Sequence, residues 1–328
     1  MGSGGKDMSN LKILIMSKLA FKQKHKEMVQ SKAPTADVRM ALNSEEAGDF
    51  LAQADIIVTS NWDFKLDTFQ KAKNLKWVHA ISAGVEHILF NEMVESEVLL
   101  SNAKGIFDTP AAEHTIAMML AFSRGMLPII NHQPEKNWQR IAVSDLHDAT
   151  IGIVGLGSIG REIARIAKTG FNMKVMATKR RMTEEENVDH LFPPEGLPEL
   201  LTHSDYVVLA AAVTPDTEGL IGEKELKMMK KNAVLINIAR GQLIQEEDLL
   251  KALKERWILG AGLDVFSKEP LTPESPFYDL DNVIITAHRA GFTHHMLNDE
   301  RIESFCDNLD DYIHGRPLRT IVNKKMGY

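Results

Sequence analysis

Cysteine is almost absent: Cys306 stands alone among 328 residues. A lone thiol excludes an internal disulfide and a cysteine-built metal cage, and it fits a reducing cytoplasm. Long apolar runs are lacking too. The longest, Ile116 to Phe122 and Val207 to Val213, fall far short of the roughly 20 residues that span a bilayer. They read as buried elements, and no membrane partner is expected. Positive charge is not in excess: the formal net charge is −7, which gives no general attraction to a phosphate backbone, so no nucleic-acid partner is expected either. There is no short-period repeat, and the polar stretch Met1 to Asp7 reads as a flexible leader without a signal pattern. What is present, 44% hydrophobic and 25% charged residues, is ordinary globular composition in a chain long enough for two cores.

From Leu11 onward, short apolar runs of strand type alternate with polar-faced helical stretches, the pattern of parallel sheets covered by helices. The pattern occurs as two series. Strands are predicted at Lys12 to Met16, Val38 to Ala41, Ile56 to Thr59, Trp77 to Ala80 and Val98 to Ser101. A helix follows over Thr109 to Gly125, with Thr109 read as cap, Pro110 as first-turn residue and Glu113 as the acidic partner of a capping box. Six further strands are predicted at Thr150 to Val154, Lys174 to Thr178, Tyr206 to Ala211, Ala233 to Asn237, Ile258 to Asp264 and Val283 to Thr286. The pattern then turns helical over His295 to His314, and an extended piece at Thr320 to Val322 is expected to return to the first domain. The fold class is α/β with two Rossmann-like or flavodoxin-like domains.

The segment TIGIVGLGSIG, Thr150 to Gly160, runs an apolar strand into Gly155, Gly157 and Gly160 and then into a helical stretch. A bare G-x-G-x-x-G is weak evidence. Here the first glycine ends a strand and the third opens a helix, as a dinucleotide-binding turn requires. Ser158 and Ile159 would present backbone N–H groups to a phosphate at the helix N-terminus. A second shortage then selects the cofactor: no Asp or Glu stands about 20 residues beyond the glycines, where an NAD enzyme holds the ribose hydroxyls. Lys179, Arg180 and Arg181 follow the strand instead, and they suit the extra phosphate of NADP(H). NADP(H) is therefore the preferred cofactor and NAD(H) a possible one; the plain alternative is a solvated surface patch.

Three later segments each close a strand and carry chemically capable residues: Arg240 in AVLINIARG, Asp264 and Glu269 in LDVFSKEP, and His288 in IITAHRAG. The carboxyl edge of a parallel sheet is where α/β proteins bind ligands. Together with SAGVEH, AEHT, GLGSIG, TPDTEGLI and the EPL that continues LDVFSKEP, these motifs run in order from about Trp77 to His314, and the sequence resembles the D-isomer-specific 2-hydroxyacid dehydrogenases, which include glyoxylate and hydroxypyruvate reductases.

The resemblance implies a dinucleotide-binding domain over 109–293 inserted into a discontinuous substrate-binding domain, 8–108 with 294–328, and an active site in the cleft between them. It implies that Arg240 clamps the carboxylate and carbonyl of a small 2-oxo or 2-hydroxy acid, that His288 is the acid and base, and that Glu269 orients the imidazole and keeps a proton available. Ser82, Ala83, Gly84 and Val85 resemble the loop whose N–H groups receive the substrate carboxylate. Asp264 would contact the nicotinamide end, with Thr178, Thr214, Ile238, Ala239 and Ala290 also along the cofactor. A homodimer is expected by the same resemblance. No metal is predicted: the adjacent His294 and His295 do not face one ligand position, and hydride transfer needs none. His87 and His114 are given no role.

Some positions depart from the family pattern. Ala210 and Ala212 stand where histidine and proline are frequent, and Ala287 replaces the common proline before His288. Arg289 introduces a cation beside that histidine, either to meet a second acidic group on the substrate or to turn to solvent. The competing function is a dinucleotide-sensing regulatory protein with the same fold and little turnover, which has no chemical need for Arg240, Glu269 and His288 together.

Overall fold

Strands built from consecutive apolar residues are dry on both faces and require helices on both sides. The computed structural model, which describes residues 10–19, 21–293 and 297–327, has this architecture twice. The leader Met1 to Asp7 and the pair His294 and His295 lie outside the described residues. The chain divides into two units, Met1–Ile106 with Thr293–Tyr328, and Phe107–Phe292.

The first unit carries five strands: β1 (Lys12–Met16), β2 (Asp37–Ala41), β3 (Ile56–Thr59), β4 (Trp77–Ala80) and β5 (Leu99–Asn102). All pair in parallel, in the order β2-β1-β3-β4-β5, which is the flavodoxin-like winding. Side chains alternate between its faces. Ile13, Ile15, Val58 and Trp77 enter one core, while Leu14, Met16, Ile57 and Val78 enter the other. The helix Leu297–Ile313 supplies Ile302, Phe305, Cys306 and Leu309 to the first of these cores. Burial pushes the Cys306 thiol up to about 12, so it is an inert filler. The extended piece near Thr320 lies along β5: Val322 N–H donates to Leu100 O (2.8 Å) and Asn102 N–H to Thr320 O (3.2 Å). Lys324 Nζ then donates to the carbonyls of Met93, Ser96 and Val98.

The second unit carries seven strands: β6 (Thr150–Val154), β7 (Lys174–Thr178), β8 (His190–Phe192), β9 (Tyr206–Leu209), β10 (Val234–Asn237), β11 (Gly260–Leu263) and β12 (Val283–Ile285). Their order, β12-β11-β10-β9-β6-β7-β8, is the Rossmann winding with one strand added, and every pair is parallel. Its winding reverses between β6 and β9, which puts the ligand crevice of such a sheet at the carboxyl ends of those two strands.

Three expectations need correction. The sheet has seven strands, not six, because β8 is a three-residue edge strand without a continuous apolar run. The helix expected from Thr109 is Asp108–Ser123, with Phe107 at its cap position and no side-chain cap. Glu113 lies four residues past Thr109, one more than a capping box allows. Finally, Ala210, Ala211, Asp264 and Thr286 fall just beyond their strands, in the loops at the carboxyl edge.

Candidate active site

The glycine turn sits at the reversal point between β6 and β9. Gly155 has φ +95°, and a Cβ there would lie 2.6 Å from the Ala211 Cα, so neither the conformation nor the space admits a side chain. A Cβ at Gly160 would lie 2.6 Å from Gly155 O, which fixes how closely the helix Ser158–Phe171 meets the turn. At Gly157 a Cβ would meet nothing within 4 Å: open space stands before the helix N-terminus, whose leading N–H groups have no side-chain cap. Thr178, buried at the end of β7, accepts from Gly155 N–H (3.3 Å) and ties the turn to the neighbouring strand. An uncapped helix end with free space and close backbone fits a pyrophosphate.

Lys179, Arg180 and Arg181 follow β7 as expected, but their surroundings differ. Lys179 is ion-paired with Glu185, which also takes Arg161 at 2.7 Å. Arg180 faces Asp216 at 3.4 Å with both side chains exposed, and Arg181 is exposed. The sequence reading missed Glu185 because it comes from an acidic run in the loop after β7, which folds back to the strand end. Thr214 is engaged in its own turn, its N–H donating to Thr217 Oγ1 at 2.8 Å.

Beyond β10, β11 and β12 the chain builds one hydrogen-bonded assembly. Asn237, buried at the end of β10, donates from Nδ2 to Arg240 O (2.8 Å) and accepts at Oδ1 from Ala239 N–H (3.1 Å), which shapes the Ile238–Arg240 loop. Arg240, half-buried, donates from Nη1 to Ala239 O at 2.7 Å. The next residue is packed against the loop after β11: a Cβ on Gly241 would lie 1.9 Å from the Phe266 carbonyl carbon. That close approach brings the Arg240 and Glu269 loops together.

His288 and Glu269 meet directly, with Nδ1 and Oε2 2.7 Å apart, and the other Glu269 oxygen accepts from Phe266 N–H at 3.0 Å. An ionised carboxylate only accepts, so the imidazole proton on this side is on Nδ1, and Nε2 is the ring nitrogen that does not face Glu269. The side chains are 40% and 30% exposed, accessible without being loosely held. His288 has φ +50°, a conformation that a non-glycine residue takes only when its neighbours enforce it.

The enforcing group is Asp264, 1% exposed. Its Oδ1 accepts from Thr286 Oγ1 (2.5 Å) and Arg289 N–H (2.7 Å), its Oδ2 from Ala290 N–H (2.9 Å), and its carbonyl from His288 N–H (2.8 Å). The carboxylate, expected at the nicotinamide end, is turned inward and holds the loop that carries His288. His114, given no role from sequence, stands behind this network with Nε2 3.0 Å from Thr286 Oγ1 and 3.8 Å from Asp264 Oδ1. The Arg289 guanidinium lies over the Phe292 ring, 4.7 Å from its centroid.

In the first unit, the Ser82–Val85 turn follows β4. Ser82 Oγ donates to Gly84 O (2.8 Å), Asn102 Nδ2 to Ala83 O (2.6 Å), and Val85 is buried. Nearby, Asn61 accepts from His87 N–H (2.9 Å), and Trp62 packs on the His87 ring at 4.0 Å. Among the described residues no cluster of His, Cys, Asp and Glu could hold a metal, and no helix is long and apolar enough to cross a membrane.

Residues 116–290 match the family described as D-isomer specific 2-hydroxyacid dehydrogenase, NAD binding domain. The chain is 35% identical over 271 residues to a glyoxylate reductase of Pyrococcus furiosus, covering 79% of each. It is 34% identical over 281 residues to a glyoxylate/hydroxypyruvate reductase B of Pectobacterium carotovorum, covering 84% of this chain and 88% of that one. Among solved structures, it is similar to a D-isomer specific 2-hydroxyacid dehydrogenase from Xanthobacter autotrophicus in complex with NADPH and MES (26% identity, TM-score 0.85, 97% of this chain and 99% of that one). A second is an NADPH-dependent glyoxylate/hydroxypyruvate reductase from Sinorhizobium meliloti in complex with NADP and sulfate (26% identity, TM-score 0.84, 97% and 100%).

Proposed function

The chain belongs to the D-isomer specific 2-hydroxyacid dehydrogenase family, and we propose that it reduces a small 2-oxo acid, glyoxylate or hydroxypyruvate, with NADPH as the preferred donor and NADH as a possible one. The observation that carries this reading is the His288–Glu269 pair at 2.7 Å, held at the carboxyl edge of a dinucleotide-type sheet. We assign the second unit to the dinucleotide and the first to the substrate.

When bound, the reduced nicotinamide supplies the hydride to the carbonyl carbon. Arg240 binds the substrate carboxylate and carbonyl through its planar fork of donors. The imidazolium of His288, with Glu269 offsetting its charge on the Nδ1 side, gives its Nε2 proton to the carbonyl oxygen as negative charge develops there. The neutral imidazole keeps the Nδ1 proton that faces Glu269 and regains the other from solvent. Asp264 acts through the backbone of residues 288–290 as a positioning residue. On the first unit, the Ser82–Val85 turn is assigned to a carboxylate, which its backbone N–H groups can receive. We also propose a homodimer through the dinucleotide unit; the exposed apolar side chains of Met126, Ile129, Ile130, Trp138 and Val143 support it.

The test is loss of reduced-nicotinamide absorbance with a panel of 2-oxo acids, in the wild type and in His288→Ala. Turnover in the former and none in the latter, with cofactor binding retained in both, is expected. Tight NADPH binding without turnover on any acid would replace this reading with the sensing role.

A further inference from the structure

The three cations after β7 do not keep equal company. The Lys179 ammonium, 16% exposed, is paired with Glu185 Oε1 and donates to Thr183 Oγ1 at 2.8 Å. The same carboxylate takes Arg161 in bidentate fashion, Nε to Oε2 at 2.7 Å and Nη2 to Oε1 at 3.1 Å. Arg161 lies in the first turn of the helix that follows the glycine turn. Glu185 is 8% exposed. Arg161 first, with Lys179 adding to it, holds its carboxyl down to about 2, so it is an anion throughout the working pH range.

A carboxylate fixed between a strand-end cation and a cation of the phosphate-facing helix already supplies the negative charge that a ribose 2′-phosphate would bring to Lys179. Arg180 and Arg181 are placed differently. Arg180 meets Asp216 through an exposed contact, a kind of pair that contributes little, and Arg181 is exposed.

We propose that Glu185 is a built-in counter-anion that withholds Lys179 from the 2′-phosphate: NADPH is recognised through Arg180 and Arg181, and Glu185 limits how far NADPH is favoured over NADH. The inference rests on the cofactor assignment made above. It makes Glu185 a specificity-determining residue that acts through its partner, and it predicts that removing the acid strengthens the use of the phosphorylated cofactor.

The experiment measures dissociation constants of NADPH and NADH by nicotinamide fluorescence, without substrate, for the wild type, Lys179→Met, Glu185→Gln and the double variant. Lys179→Met alone should move the NADPH constant by less than about twofold, whereas Glu185→Gln should tighten NADPH at least about fivefold with NADH unchanged; in the double variant the gain should disappear, since the two residues are coupled. A loss of NADPH affinity beyond about twofold in Lys179→Met, or an unmoved NADPH-to-NADH ratio in Glu185→Gln, overturns the proposal. Should Glu185→Gln fail to fold, Lys179→Met decides by itself. If neither nucleotide binds the wild type, the cofactor assignment fails and the inference with it, an outcome distinct from binding with an unmoved ratio.

Discussion

Replacing Asp264 by asparagine keeps the side-chain volume and removes one acceptor from a buried position that serves three donors. Thr286 Oγ1 and Arg289 N–H share Oδ1, and Ala290 N–H uses Oδ2. Asparagine does best by placing its oxygen where Oδ1 was, and its amide NH2 then opposes the Ala290 N–H, donor against donor. A buried N–H left unsatisfied costs about 1–3 kcal/mol, and each remaining bond weakens by about 0.5–1.5 kcal/mol on losing its charged acceptor. The expected total is about 2–6 kcal/mol. It falls on residues 288–290, where His288 is held at φ +50°, so the loop gains a reason to relax away from the geometry that presents Nε2. Urea unfolding should show the loss of stability. Steady-state reduction should show kcat lower by about a hundredfold or more, while the NADPH dissociation constant stays within about threefold. An Asp264→Asn variant within about 0.5 kcal/mol of the wild type and with ordinary turnover would refute the claim that this carboxylate holds the histidine loop.

Glu269→Gln keeps a hydrogen-bonding group beside His288 but removes the charge that offsets the imidazolium; kcat for reduction should fall by about ten- to a hundredfold with little change in NADPH affinity, as steady-state and binding measurements would show. Gly241→Ala should destabilise the protein by at least about 2 kcal/mol, because its Cβ would meet backbone 1.9 Å away at Phe266; a thermal midpoint equal to the wild type would contradict that packing. His79 is fully buried, and burial pushes it down to about 3 from its ordinary 6.5. The unfolded chain therefore binds a proton below pH 6.5 that the native state refuses until about pH 3, and stability should fall by about 1.4 kcal/mol per pH unit across that window and be unaffected above it. In His79→Phe, urea unfolding at several pH values should show a slope shallower by that amount; parallel curves would rule the account out.

Much of this architecture could be read from the chain because parallel strands buried on both faces leave runs such as Ile56 to Thr59 and Tyr206 to Leu209 that little else explains. The residues proposed for the chemistry were picked by position: Arg240, Glu269 and His288 each follow such a run by a few residues. β8 escaped because three residues, His190–Phe192, are too few to show a period, although Leu191 and Phe192 both pack on the cores. Glu185 escaped for a different reason. No spacing rule connects it to Lys179; the loop after β7 brings it there, and an acid judged missing from the strand end arrives from 25 residues past Gly160. Asp264 was expected at the site, but its direction was not legible, since a carboxylate facing a ligand and one facing three backbone and hydroxyl donors look alike in sequence. His114 was passed over because its partner Thr286 lies 172 residues away.

The discontinuity of the first unit bears on how the protein comes into being. Its sheet is finished at Asn102, yet one face waits for Phe305 and Leu309, and the three carbonyls at Met93, Ser96 and Val98 wait for Lys324. During synthesis the second unit, a single uninterrupted stretch, emerges from the ribosome before those groups do. The half that starts first is therefore the half that matures last, and the nascent sheet around Trp77 needs shelter from aggregation until the final helix emerges.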